Sequence, residues 1–138
     1  MANKILLEVV TPSKLLVSEE VELATAPGTD GVFGAMANHA PLLATLKIGE
    51  MHYLNEGNTV RMALSGGFCD VSNNRMTVLA ESAEISTEID VERALKAKER
   101  AERRLQEAEA RKGEIDLARA QAAFARALAR LHVGGHQA

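Results

Sequence analysis

The sequence predicts an all-β N-terminal domain, a β-sandwich or barrel over residues 1–85, followed by a two-helix C-terminal hairpin over residues 86–138. Two observations predict this fold class. In the first 84 residues, short apolar runs recur between turn signals without intervening helices, as in sandwiches and barrels. After Glu84 the apolar residues recur every three or four positions, which is typical of a helix with one buried face.

The predicted strands are apolar runs bounded by Gly, Pro, Asn and Ser residues. They cover residues 5–10, 15–17, 21–26, 42–46, 51–55, 59–64, 68–72 and 76–80. Asn73-Asn74 predicts a tight hairpin between the last two strands, because asparagine tolerates a positive φ. Further turns are predicted at residues 27–31 and 56–58.

The first predicted helix carries an apolar stripe at intervals of three and four residues. Its members are Val91, Ala94, Ala97, Ala101, Leu105 and Ala108. Asp90 is expected to cap the start of this helix, since its carboxylate can accept hydrogen bonds from the free N–H groups of the first turn. Lys112-Gly113 is expected to end the helix, because glycine readily takes the left-handed conformation found there.

The second predicted helix has a similar stripe and ends before Gly134-Gly135. Its members are Leu117, Ala120, Phe124, Leu128 and Leu131. A short turn makes the two helices an antiparallel hairpin. Because the seam is mostly alanine, each turn buries little area, while the high helix propensity of alanine lets either helix persist alone. Composition leaves two alternatives open: a hairpin that changes its docking, or an alanine-rich hairpin with one stable pose.

Composition argues against several classes of protein. Only four aromatic residues occur in 138, too few for a binder that stacks nucleic-acid bases. No run approaches the roughly 18 consecutive apolar residues of a membrane span, and the N-terminus lacks the apolar region of a signal peptide. The single cysteine, Cys69, excludes an internal disulfide and is expected to be a small buried hydrophobic residue in a reducing cytoplasm.

The net charge of −3 is unevenly divided along the chain. Residues 1–84 carry five basic and ten acidic side chains, whereas residues 85–138 carry eleven basic and nine acidic ones. This asymmetry predicts two segments with different partners, and the positive excess is too small to indicate nucleic acid.

No catalytic constellation is visible in the sequence, and neither a P-loop nor a G-x-G-x-x-G motif occurs. Ser65-Gly66-Gly67 is interpreted as a bend beside a strand, since no lysine and helix follow it. His132 and His136 have metal-ligand spacing, but the glycines between them interrupt the helix, so no metal site is expected. His39 is expected to be structural or to lie at an interface.

Three arginines mark the second predicted helix. Arg119, Arg126 and Arg130 are separated by seven and four residues, so they project from one stripe. Three interpretations remain open for them. They form a solvated basic face, a surface that docks onto an acidic loop of a partner, or a phosphate site, since guanidinium groups pair bidentately with phosphate oxygens.

Three segments carry the most specific patterns. They are Gly31-Val32-Phe33-Gly34 with Asn38-His39-Ala40-Pro41-Leu42-Leu43, Ser65-Gly66-Gly67-Phe68 with Val71 and Val78-Leu79-Ala80-Glu81, and Ile89-Asp90-Val91-Glu92-Arg93-Ala94. In order and spacing, over nearly the whole chain, they resemble the epsilon subunits of bacterial F-type ATP synthases, and the third matches that family's I/L-D-x-x-R-A motif. The chain departs from the family's common pattern at Val32-Phe33 and Ala37-Asn38.

The resemblance implies a non-catalytic central-stalk subunit of a proton-translocating ATP synthase, with no required cofactor. Its expected partners are the gamma subunit and the rotor c-ring for residues 1–85, and the catalytic alpha and beta subunits for a regulatory hairpin at residues 86–138. Its expected location is the cytoplasmic face of the bacterial inner membrane, where the complex alone holds it. The alternative is a stand-alone β-sandwich sensor that binds a small ligand.

The resemblance also implies a regulatory ATP site. Position by position, it assigns Glu84, Ile89, Asp90, Arg93, Ala94, Arg126 and Arg130 to that site. The resemblance places Ile89 and Asp90 near the adenosine and the arginines near the phosphates. Docking to partners is expected to involve His39, Arg119, Arg126 and Arg130. An extended hairpin would inhibit ATP hydrolysis, and ATP would favour the folded form by mass action.

Overall fold

The computed structural model describes residues 3–110 and 117–135, in which eight strands precede two helices. The strands are β1 (Ile5–Val10), β2 (Leu15–Val21), β3 (Leu23–Gly28), β4 (Gly31–Ala35), β5 (Leu42–Asn55), β6 (Asn58–Ser72), β7 (Arg75–Ala80) and β8 (Ala83–Ile85). A 3-10 turn at Ser86–Glu88 leads into α1 (Val91–Ala110) and α2 (Leu117–Gly134).

The strands form one hydrogen-bonded sheet in the order β2-β1-β7-β6-β5-β3-β4, with β8 paired to β6. Neighbouring strands are antiparallel except β1 and β7, which are parallel. Along β6 the neighbour changes from β8 to β7 at Gly66 and Gly67, whose φ angles are 100° and 144°. Glycine reaches such angles without a steric penalty, so β6 bends here and the sheet folds over on itself.

The main hydrophobic core lies between the two halves of the folded sheet. Ile5 and Leu7 of β1 are fully buried and alternate with half-buried neighbours, as expected for a strand with one inward face. Met51 and Met62, from β5 and β6, belong to the same cluster. Burial raises the pKa of the Cys69 thiol to about 12, which fits its predicted role as a small buried hydrophobic residue. The sandwich prediction is therefore confirmed.

Two predicted hairpin turns are confirmed by their backbone angles. Asn73 and Asn74, with φ of 51° and 58°, connect β6 to β7. Glu56 and Gly57, with φ of 51° and 81°, connect β5 to β6. The turn predicted at residues 27–31 is the β3–β4 hairpin, in which Gly28 pairs with Gly31.

The structure differs from the sequence prediction in strand number and length. The runs at 42–46 and 51–55 belong to one strand, β5, because the residues between them also pair with β6, as Gly49 does with Leu64. The runs at 59–64 and 68–72 are likewise one strand, β6. β4 and β8 were not predicted. Neither segment has a clear strand pattern in its sequence, since β4 contains Gly31 and Gly34 and β8 has only three residues.

The helices pack through small residues repeated every seven positions. The buried residues at this spacing are Ala94, Ala101 and Ala108 on α1, and Ala120, Ala127 and Gly134 on α2. The seam predicted for α2 was wrong at Leu117 and Leu128, which are 44% and 41% exposed. Small side chains let the helix axes approach closely, and larger ones at the seam would hold them apart. The predicted end of α1 at Lys112-Gly113 lies outside the described residues.

The C-terminal end of α2 packs onto the sandwich. Val133, which is fully buried, forms a second hydrophobic cluster with Ala63 of β6 and Ile89. A Cβ atom at Gly134 would lie 3.0 Å from Val91 Cγ2 and 3.3 Å from Ile89 Cγ2, so this close approach depends on glycine. The hairpin is therefore docked against the sandwich. Neither described helix has the length and apolar character that a membrane crossing requires.

Candidate functional site

A polar pocket lies where the edge of the sandwich meets both helices. Its volume is about 370 Å³, at the lower end of the roughly 300–1,000 Å³ typical of ligand pockets. Its lining consists of Glu84, Glu88, Asp90, Arg93, Ala94, Ala97, Arg100 and Arg130. These residues come from β8, the 3-10 turn, α1 and its cap, and α2. A ligand in this pocket would contact the sandwich and both helices together.

Asp90 caps the first helix, as predicted. Its Oδ1 atom accepts a hydrogen bond of 3.1 Å from the backbone N–H of Arg93, and its carbonyl oxygen accepts one of 3.0 Å from the N–H of Ala94. The side chain therefore satisfies a free donor of the first turn, and its negative charge lies at the favourable end of the helix dipole. The cap also sets where the Arg93 side chain leaves the helix.

An ion pair crosses the pocket from the sandwich to α2. Arg130 Nε lies 2.5 Å from Glu84 Oε1, and about a third of each side chain is exposed. Partial burial reduces screening by water, and the charge-assisted hydrogen bond adds to the attraction between the two charges. Arg130 is thus held in the pocket by a carboxylate that a phosphate group could replace.

Two further arginines complete the cationic side of the pocket. Arg93 and Arg100 are seven residues apart on α1, so both point to the same side of that helix as the pocket. The lining contains three guanidinium groups and three carboxylates. Arg100 and Glu88 were not among the residues assigned to the site from the sequence. The spacing from Arg93 was the available signal for Arg100, and no signal in the sequence pointed to Glu88.

The structure brings together five of the seven residues assigned to an ATP site. Glu84, Asp90, Arg93, Ala94 and Arg130 line the pocket.

The other two assigned residues lie outside this lining. Ile89 is buried in the cluster beneath α2, where it contacts the apolar end of the helix. Arg126 is half-buried on α2, one helical turn before Arg130.

The residues assigned to partner docking are divided between two regions. Arg119, Arg126 and Arg130 lie on α2, where Arg119 is exposed and Arg130 is paired with Glu84. His39 is in the loop between β4 and β5, where its Nδ1 atom lies 2.6 Å from the Ala40 carbonyl oxygen.

The side chains of the pocket can contact both phosphate groups and hydrogen-bond donors of a ligand. Guanidinium groups can pair with phosphate oxygens, while the carboxylates can accept hydrogen bonds from hydroxyl or amino groups. Among residues 3–110 and 117–135, no group of three or more His, Cys, Asp and Glu side chains is arranged to hold a metal ion.

Comparison with protein families identifies two matching regions. Residues 4–86 match the family described as "ATP synthase, Delta/Epsilon chain, beta-sandwich domain", and residues 87–135 match "ATP synthase, Delta/Epsilon chain, long alpha-helix domain".

Individual relatives extend over most of the chain. The ATP synthase epsilon chain of Nitratidesulfovibrio vulgaris is 50% identical over 136 residues, covering 99% of each chain. That of Syntrophomonas wolfei is 52% identical over 127 residues, covering 91% of this chain and 90% of the relative. A chain in the mitochondrial ATP synthase of Euglena gracilis has the same fold, with a TM-score of 0.82 at 23% identity, covering 97% of this chain and 82% of that one.

Proposed function

This chain belongs to the ATP synthase delta/epsilon chain family, and we propose that it is a non-catalytic epsilon subunit in the central stalk of a bacterial, proton-translocating F-type ATP synthase. In this role the sandwich joins the gamma subunit to the rotor c-ring, and the hairpin regulates the catalytic alpha and beta subunits. The chain sits at the cytoplasmic face of the inner membrane through the complex. The family matches favour this role over a stand-alone sensor.

An exposed apolar row on the sheet supports binding to gamma. Phe68 of β6 pairs with Leu79 of β7, Leu79 pairs with Val10 of β1, and Val10 pairs with Leu15 of β2. Phe68, Leu79 and Leu15 are all more than half exposed. A contiguous apolar surface of this kind is typical of a protein interface, because water contact with it is unfavourable.

A second exposed apolar surface supports contact with the rotor ring. Val32 and Leu43 are 69% and 77% exposed, and both line a shallow cavity beside the β3–β4 turn. This surface is at the Val32-Phe33 segment, where the chain departs from the family's common pattern. We assign this surface to contact with the rotor ring.

The hairpin acts as a mobile inhibitor of ATP hydrolysis. When docked, it keeps Arg130 paired with Glu84 and buries Val133 against the sandwich. When released, α2 would present Arg119, Arg126 and Arg130 to an acidic surface of a catalytic subunit. The alanine seam supports separation of α1 from α2, because each turn of the seam buries little apolar area.

ATP in the polar pocket would hold the hairpin in its docked position. One pocket contains five residues of the assigned site and has walls from the sandwich, α1 and α2, and this arrangement supports ATP binding there. A triphosphate would take Arg130 from Glu84 and would pair also with Arg93 and Arg100. Because the walls separate on release, ATP would bind the docked form more tightly and shift the equilibrium toward it.

Calorimetric titration of ATP into the full chain tests the site. A charge-assisted hydrogen bond contributes about 1.5–3 kcal/mol, so Arg130→Ala should weaken ATP binding roughly ten- to hundredfold. Arg119→Ala is the matched control, since Arg119 is on the same helix but does not line the pocket. The ATP proposal fails if the wild type binds no ATP at millimolar concentrations, or if both variants bind equally well.

Co-purification tests the wider role. Tagged full-length chain expressed in its own cells should recover gamma and the catalytic subunits in stoichiometric amounts. Recovery of the chain without them would support the stand-alone sensor instead.

A further inference from the structure

A second charged cluster joins α2 to the sandwich, at a site separate from the polar pocket. Its centre is the carboxylate of Glu50 on β5, whose side chain is only 16% exposed. Arg61 of β6 donates a hydrogen bond of 3.1 Å to Oε2, and His52 Nδ1 lies 3.5 Å from the same oxygen. His132 Nε2, near the end of α2, lies 3.8 Å from Oε1.

The two carboxylate oxygens of Glu50 differ in their partners. Oε2 accepts the hydrogen bond from Arg61, whereas Oε1 is buried and accepts no hydrogen bond from the described residues. A buried carboxylate oxygen without a donor is unfavourable, because it has lost its water. At 3.8 Å the His132 imidazole is too far for a hydrogen bond but close enough for an ion pair when it carries a proton.

We propose that Glu50 and His132 form an acid-strengthened latch that holds the C-terminal end of α2 on the sandwich. Histidine is the side chain whose charge ordinarily changes between pH 5 and 8. Protonation gives His132 a positive charge facing Oε1, and a movement of less than about 1 Å would complete a hydrogen bond to it. Release of α2 separates the two groups, so acid favours the docked hairpin.

The other charges near the latch determine its strength. Arg61 already neutralises part of the Glu50 charge and repels protonated His132, and two-thirds of the His132 side chain is exposed. His52 also lies beside this carboxylate, but both groups are on β5, so their interaction does not distinguish docked from released α2. Because of these features the latch is weak, and we expect it to shift the equilibrium between docked and released hairpin by about two- to fivefold.

The 3-10 turn and the start of α1 also pack against this end of α2. Their charged side chains, Glu88, Asp90 and Arg93, lie in the pocket around Arg130. The response of docking to pH must therefore be assigned by substitution of His132 rather than by the pH change alone.

The consequence for the cell rests on the proposed function of the hairpin. A fall in cytoplasmic pH would strengthen the latch, hold the hairpin away from the catalytic subunits and relieve inhibition of ATP hydrolysis. Because hydrolysis drives protons outward in such a complex, the latch would act against the acidification that closed it.

Energy transfer between two dyes on the isolated full chain tests the latch without ATP or other subunits. The dyes are attached to cysteines replacing Ser13, in the exposed loop after β1, and Gln121, on the exposed face of α2. The native Cys69 is fully buried and does not compete for the dyes. Loss of energy transfer with urea is followed at about pH 5.5 and about pH 8, on either side of the histidine range.

We expect the docked form of the wild type to be favoured about two- to fivefold more at the lower pH, and His132→Gln to lose this difference. His132→Gln should fold, because the side chain is mostly exposed. His52→Gln is the matched control and should keep the difference. If Glu50→Gln also folds, it should behave like His132→Gln.

An equal response to pH in the wild type and His132→Gln would overturn the latch, and so would loss of the response only in His52→Gln. Either failure would leave the stalk role untouched, since co-purification with gamma tests that role independently.

Discussion

The Nε atom of Arg130 lies 2.5 Å from the Oε1 atom of Glu84, and this ion pair connects the second helix to the last strand of the sheet. A second link between α2 and the sandwich is the pair of His132 and Glu50. Both links meet α2 within its last turn and a half, so the docking of the hairpin depends on a short segment of the chain.

The Glu84–Arg130 pair should contribute modestly to docking in the absence of ATP. We expect Glu84→Gln and Arg130→Gln each to favour release, and a double-mutant cycle to give a coupling of about 0.5–1 kcal/mol, because both groups are partly exposed. The loss of energy transfer in urea measures it. Additive effects of the two substitutions would show that the ion pair does not hold the helix.

Substitution of Gly67 should damage the sandwich rather than the hairpin. A Cβ atom at this position would lie 2.0 Å from the Leu79 carbonyl oxygen, and the φ of 144° is unfavourable for any other residue. We expect Gly67→Ala to lower the free energy of unfolding by more than about 3 kcal/mol. Gly57→Ala is the control, since Gly57 also has a positive φ but has no atom within 4 Å of the added Cβ. It should cost about 1 kcal/mol. Equal losses in urea denaturation would contradict the close approach at the bend.

Charge reversal on α2 should weaken inhibition in the assembled complex. Arg119→Glu with Arg126→Glu would place negative charges where the released helix is proposed to meet an acidic surface. Neither residue lines the ATP pocket, so nucleotide binding should change little. Hydrolysis by the complex should rise, and the difference between wild type and variant should shrink with added salt because salt screens the charges. Full inhibition by the double variant at low salt would rule out an electrostatic contact.

The sequence was sufficient to predict the sandwich and the two helices, whereas the residues of the pocket were assigned by resemblance to the family. Asn73-Asn74 and Asp90 were predictable because turn and cap preferences act within a few residues. Prediction failed for elements whose structure depends on residues that are distant in the sequence. β8 exists because its three residues pair with Met62, Ala63 and Leu64 of β6, which no local pattern reveals.

The seam of α2 shows why periodicity alone was not enough. The helix has apolar residues on two adjacent sides, one with Leu117 and Leu128 and one with Ala120 and Ala127. Hydrophobicity favours the leucines, yet close packing against the alanines of α1 selects the smaller side chains. The same limit applies to the pocket. Arg126 was grouped with Arg130 by spacing, but only Arg130 is directed into the lining.

Removal of the hairpin is a direct test of its proposed regulatory role. The sandwich has its own hydrophobic core, so a fragment of residues 1–86 should fold and join the complex in place of the full chain. ATP hydrolysis is then measured for complexes that contain either form, at low ATP, where the full chain should be released and inhibitory. Hydrolysis should be faster with the fragment, at equal recovery of gamma and the catalytic subunits. Equal rates with the two forms would contradict the regulatory role of the hairpin.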